Sequence, residues 1–76
     1  MKDTVEMIVK ALVDDPEAVS VLEEERERVT VIEVRVAPPD MGKLIGRQGR
    51  TVKALRSVLH AASLKRQRRY ALEIIE

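Results

Sequence analysis

The apolar positions of this chain change period several times, and each change marks an element. Over residues 4–14, Val5, Ile8, Val9, Leu12 and Val13 recur at three- and four-residue spacing and lay one apolar stripe along a helix. Asp3 is placed to cap its first turn, with Glu6 three residues on as in a capping box. Asp14-Asp15-Pro16 ends the helix: acids oppose the dipole at its carboxyl end, and the residue before proline avoids helical angles. Residues 18–29 fit two readings. Val19 and Val21 alternate with smaller or polar neighbours as in an edge strand, whereas Glu23-Glu24-Glu25-Arg26-Glu27-Arg28 consists of good helix formers. Residues 30–37 alternate cleanly, with Ile32, Val34 and Val36 on one side and Glu33 and Arg35 on the other. That is a half-buried strand, ended by Pro38-Pro39.

Asp40 then caps a short helical turn through Lys43 and Leu44, which breaks at Gly46. After Gly49 a longer helix runs over residues 50–65, and a last strand over residues 70–75 sets Tyr70, Leu72 and Ile74 against Ala71, Glu73 and Ile75. With residues 18–29 taken as strand, the order is α-β-β-α-α-β, an α+β chain forming one domain over residues 1–76. The two clear strands are joined through helices, which predicts a parallel pair with a right-handed crossover.

Composition narrows the function. A hydrophobic fraction of 45% is enough for a folded core, but Tyr70 is the only aromatic residue, so Val, Leu, Ile, Ala and Met must fill it. Stacking many bases on an aromatic platform is therefore excluded. The absence of cysteine removes disulfides and thiolate metal sites. The opening Met1-Lys2-Asp3-Thr4 and the charges that interrupt every apolar stretch predict neither a secretion signal nor a membrane span, hence a cytoplasmic protein.

The net charge of +1 conceals a division. Residues 1–40 hold eleven acids against five bases, and residues 41–76 hold two acids against nine bases. Such a division fits an anionic partner for the second half, and equally a solvated surface whose charges segregate.

The informative segment is Gly42-Lys43-Leu44-Ile45-Gly46-Arg47-Gln48-Gly49-Arg50-Thr51-Val52. Two glycines three apart lie where one helix ends and the next begins. Gly46 can take the positive φ that closes the first, and Gly49 lets a foreign backbone approach without a Cβ in the way. Free N–H groups opening the second helix would meet a phosphate there, with Arg47, Arg50 and Lys53 near enough to neutralise it.

Leu44-Ile45-Gly46-Arg47-Gln48-Gly49, followed by Val52 and Leu55, resembles the I-G-x-x-G signature of KH domains. The helix-first, strand-last order is similar to the type II arrangement, and the whole chain is similar to the small bacterial single-KH proteins of the KhpA type. The resemblance implies a three-stranded mixed sheet packed against three helices, and RNA binding with low sequence specificity, as in RNA chaperones or post-transcriptional regulators. It implies a clamp on the backbone of a few unpaired nucleotides whose bases lie in an apolar groove. Carried over by position, Gly46, Arg47, Gln48 and Gly49 would contact phosphates. Ile45, Val52 and part of the second strand would form the groove, and Lys43, Arg50 and Lys53 would line its edge. Family members with an acidic pair between the glycines are associated with lost nucleic-acid binding; here the pair is Arg47-Gln48.

Other readings of the same glycines compete. A helix-turn-helix would place Arg50, Lys53 and Arg56 in a DNA major groove, and a protein-interaction module would leave the loop vestigial. A nucleotide-binding P-loop fails, because Gly46-Arg47-Gln48-Gly49-Arg50-Thr51 lacks its lysine and follows a helical turn.

On the long helix, Val52, Leu55, Leu59 and Ala62 should face the sheet. A second row, Ala54, Val58 and Ala61, either packs on a partner subunit or lies under the first helix or the groove. Arg56, Ser57, His60 and Ser63 fall on the wet side. The KhpA-like resemblance favours a homodimer, or a heterodimer with a larger KH-containing RNA-binding protein. The basic turn Lys65-Arg66-Gln67-Arg68-Arg69 either extends the phosphate surface or is a solvated loop at a helix end. His60 has no cysteine to join in a metal site, and its neighbour Ser57 has no oxyanion site or pocket to make a dyad useful. No enzyme activity, cofactor, metal or small-molecule substrate is expected.

Overall fold

The computed structural model describes residues 1–75. In chain order it contains α1 (Lys2–Leu12), β1 (Ser20–Glu25), β2 (Val29–Arg35), α2 (Met41–Ile45), α3 (Arg50–Arg66) and β3 (Arg69–Ile75). Single 3-10 turns occupy Pro16–Ala18, Pro38–Asp40 and Arg47–Gly49.

The strands form one sheet in the order β1-β2-β3. β1 pairs antiparallel with β2, and β2 pairs parallel with β3, with Ile32 opposite both Glu23 and Leu72. The sheet is thus mixed, and the expected parallel pairing of the two clear strands is observed. α1 packs on β1 and α3 packs on β3. α1 and β1, from the acidic half, thus lie toward one edge of the sheet, and α3 and β3, from the basic half, toward the other.

The open segment resolves as strand. Helix propensity over Glu23–Glu25 loses because β2 offers a full antiparallel partner, and Val21 gains a buried site opposite Val34. Alternation then fixes the register. Thr30, Ile32 and Val34 are fully buried under the helices, joined there by Val5 and Val9 of α1, Leu44 of α2, and Leu55 and Leu59 of α3. The filling is aliphatic, with Tyr70 and the methionines Met1 and Met41 only partly buried against it. The buried set is Val5 and Val9 of α1 and Val13 just after it, while Leu12, expected in the stripe, is 41% exposed. Strict four-residue spacing keeps the first three on the core, and Leu12 falls one step of about 100° to the side.

Two expected caps are replaced by longer-range partners. Asp3 lies inside the first turn of α1 and makes no capping bond; instead the N–H of Lys2 donates to Glu23 Oε2 of β1 at 3.3 Å. Asp40 likewise makes no side-chain bond to α2. Its buried carboxylate accepts from the N–H groups of Asp14 (3.3 Å) and Asp15 (3.0 Å). The entry to α2 is thereby tied to the chain leaving α1, 25 residues away in sequence.

Candidate nucleic-acid interface

The loop between α2 and α3 is built by backbone angles. Gly46 closes α2 with φ 76 and ψ 170, its N–H donating to the Gly42 carbonyl at 2.9 Å. Gln48 (φ 56) and Gly49 (φ 72) then turn left-handed, and α3 starts at Arg50. The glycines differ in why they are glycine. A Cβ on Gly46 would lie 2.3 Å from Thr51 Oγ1 and 2.9 Å from the Thr51 backbone nitrogen, whereas one on Gly49 would meet nothing within 4 Å. Gly46 is required by the fold of the turn, while Gly49 faces open space.

The amides are arranged differently from the expectation of a row of free donors at the start of α3. The N–H of Gly49 bonds the Gly46 carbonyl at 3.2 Å, and that of Arg50 bonds the Arg47 carbonyl. Among the described residues, the N–H groups of Arg47 and Gln48 have no backbone acceptor. The bare donors are therefore on the loop itself, between the glycines, where both side chains are exposed. No acid among the described residues pairs with Arg47, Arg50 or Lys53.

Beside the loop lies an open cleft of about 440 Å³. Met41, Ile45, Val52 and Ile74 give it an apolar lining. Gly49, Lys53 and Arg56 complete the lining. Ile45 is 41% exposed, a large apolar side chain held at the surface directly before the loop. Four features depart from the sequence-based picture. The strand wall comes from Ile74 of β3, not from β2, because β3 is the edge strand on the side of α3. Lys43 does not line the cleft; its ammonium pairs with Asp14. Arg50 is also outside the lining, and Arg56, assigned to the wet side of the helix, is part of it. Ile74 and Arg56 carried no local signal, since both depend on where the parallel strand docks.

The stripe Val52, Leu55 and Leu59 is buried as expected, with Ala62 half-buried. Ala54, Val58 and Ala61 are all exposed, so neither α1 nor the cleft covers that row. The basic turn divides. Gln67 adopts the left-handed conformation, and Arg68 N–H bonds the Ser63 carbonyl at 3.1 Å, which closes α3 in the manner of a Schellman motif. Arg68 is used inside the fold, donating from Nε to the buried Thr30 hydroxyl and lying 3.7 Å from Glu25. Lys65, Arg66 and Arg69 remain exposed. Among the described residues no group of acids and histidine is placed to hold a metal, and no helix is long and apolar enough to cross a membrane.

Residues 2–74 match the family described as "KhpA/KhpB, KH domain". A protein of Halalkalibacterium halodurans named RNA-binding protein KhpA is 54% identical over 76 residues, covering all of both chains. One of the same name from Clostridium perfringens is 49% identical over 75 residues, which is 99% of this chain and 100% of the relative. A third, from Borreliella burgdorferi, is 43% identical over 74 residues, 97% of this chain and 90% of the relative. No solved structure matches the chain. A glycine-framed loop with bare amides, an apolar cleft at its side and end-to-end likeness to these proteins agree: the chain belongs to the KhpA/KhpB KH-domain family.

Proposed function

We propose that the chain binds single-stranded RNA with low sequence specificity, in the cytoplasm, as an RNA chaperone or post-transcriptional regulator, and that binding is its whole activity. The observation that carries this reading is the pair of unpartnered N–H groups at Arg47 and Gln48, exposed beside an apolar cleft also lined by Lys53 and Arg56. A phosphate at the loop accepts from those amides while the Arg47 guanidinium neutralises it. The adjoining base leaves water for the cleft of Ile45, Val52 and Ile74. An apolar lining distinguishes bases by shape more than by hydrogen bonds, so sequence preference is weak. Competition between an unstructured RNA and duplex DNA of equal length, at fixed salt, tests the reading. RNA should win; preference for the duplex would support the helix-turn-helix alternative and remove the clamp.

The same reading includes a second copy of the chain on the row Ala54, Val58 and Ala61, which the fold leaves exposed. A chain of 76 residues has a marginal core, and covering an apolar helix row adds buried area where it is scarce. Light scattering of the wild type should give twice the chain mass, and Val58→Glu should give a monomer. A monomeric wild type that pairs only with a larger KH protein would replace the homodimer with a heterodimer.

A further inference from the structure

A second cleft, of about 430 Å³, lies farther along α3 from the loop. Arg56, Leu59, His60 and Ser63 line it from the helix, and Arg69 and Tyr70 from the start of β3. The two clefts share Arg56 and so adjoin at that side chain, a divided trough between α3 and the edge strand. From Gly49 to Ser63 the helix rises about 21 Å, and a single loop clamp does not use that length.

The lining is suited to a nucleotide. Arg56 and Arg69 supply two cations, at opposite walls, for the sugar–phosphate backbone. Tyr70, the only aromatic residue in the chain, is half-buried, so its ring is held against the core with part of it open to the cleft. His60 and Ser63 can hydrogen-bond a base edge. β3 pairs only with β2, so backbone donors and acceptors on its outer edge are also available. The geometry of α3 also keeps this trough clear of the proposed partner surface. At 100° per residue, Lys53, Arg56, His60 and Ser63 fall on one flank of the helix, and Ala54, Val58 and Ala61 fall on the other.

We infer that this second cleft is a further RNA subsite: a strand clamped at the loop continues along α3, stacks one more base on Tyr70, and sets its backbone between Arg56 and Arg69. The inference rests on the clamp reading and extends the bound strand beyond it.

Fluorescence anisotropy with a tetranucleotide and an octanucleotide of the same base tests it. Tyr70→Leu keeps the apolar volume and removes the stacking face; Arg69→Ala is an exposed change that leaves the core intact. Each should weaken the octanucleotide by about tenfold, the loss expected for one stacked base or one phosphate contact, and leave tetranucleotide affinity within about twofold. If Tyr70→Leu alone shifts the thermal midpoint, Arg69→Ala decides. Octanucleotide affinity unchanged in Arg69→Ala, or equal losses on both lengths, would overturn the subsite while leaving the clamp in place. A wild type that binds neither length would overturn the clamp and the subsite together.

Discussion

Gly46 and Gly49 share a positive φ, yet they answer to different constraints. At Gly46 the constraint is internal: a Cβ meets Thr51 inside normal contact distance as well as carrying the cost of positive φ. Gly46→Ala should therefore destabilise by about 3 kcal/mol, combining the backbone penalty with displacement of Thr51. At Gly49 only the backbone penalty applies, about 1 kcal/mol. Urea unfolding of the two variants measures the difference; equal losses would show that Thr51 yields freely. Gly49→Ala should nonetheless weaken RNA binding by about tenfold, because a methyl group stands where the strand comes closest. An acidic probe of the loop consequently belongs at positions 47 and 48, where both side chains are exposed, and not at Gly46.

Among elements, long-range partners outweigh local signals, and this divides what was legible in the sequence from what was not. The glycine loop, the buried stripe of α3 and the strands β2 and β3 follow from period and breaker residues alone. Asp3 and Asp40 carry the right chemistry for caps, but Glu23 takes the first N–H of α1 and Asp40 holds the amides of Asp14 and Asp15. Residue type announces that a carboxylate will accept from a backbone N–H; only the folded chain decides which one. Arg56 and Ile74 were unreadable for a related reason, since they meet only once β3 docks parallel to β2 with α3 across it. Asp40→Ala strands two part-buried amides and should cost about 2–3 kcal/mol, read from chemical denaturation. A loss under about 0.5 kcal/mol, the size usual for a surface change, would mean that water replaces the carboxylate. At the other end of α3, Gln67 pays for its left-handed turn. Gln67→Gly should raise stability by about 1 kcal/mol, a rise in the midpoint of about 4–8 °C; a lower midpoint would contradict that account of the helix end.

For the molecule as a whole, sheet order turns a charge division along the sequence into one across space. β1 and α1 carry the acidic half, while β3, α3 and the loop carry the basic half. Just after β1, Arg26 hydrogen-bonds Glu24 and lies in the field of Glu73 and Glu33, which raises its pKa above the ordinary value for arginine. Lys10 and Arg26 are engaged by acidic neighbours, whereas Arg47, Lys53 and Arg56 have no acid partner among the described residues. Binding should accordingly weaken with salt, and the slope of log affinity against log salt should fall by about 0.7 for each phosphate contact removed from a single strand. The most direct test combines these arguments in one variant, Arg47→Asp with Gln48→Asp. Asp tolerates the left-handed angles of position 48, so the fold and thermal midpoint should persist. Anisotropy with unstructured RNA should show affinity lost by at least about a hundredfold, because carboxylates would face the phosphates where bare amides and a guanidinium now stand. Undiminished RNA binding by that folded variant would contradict the clamp.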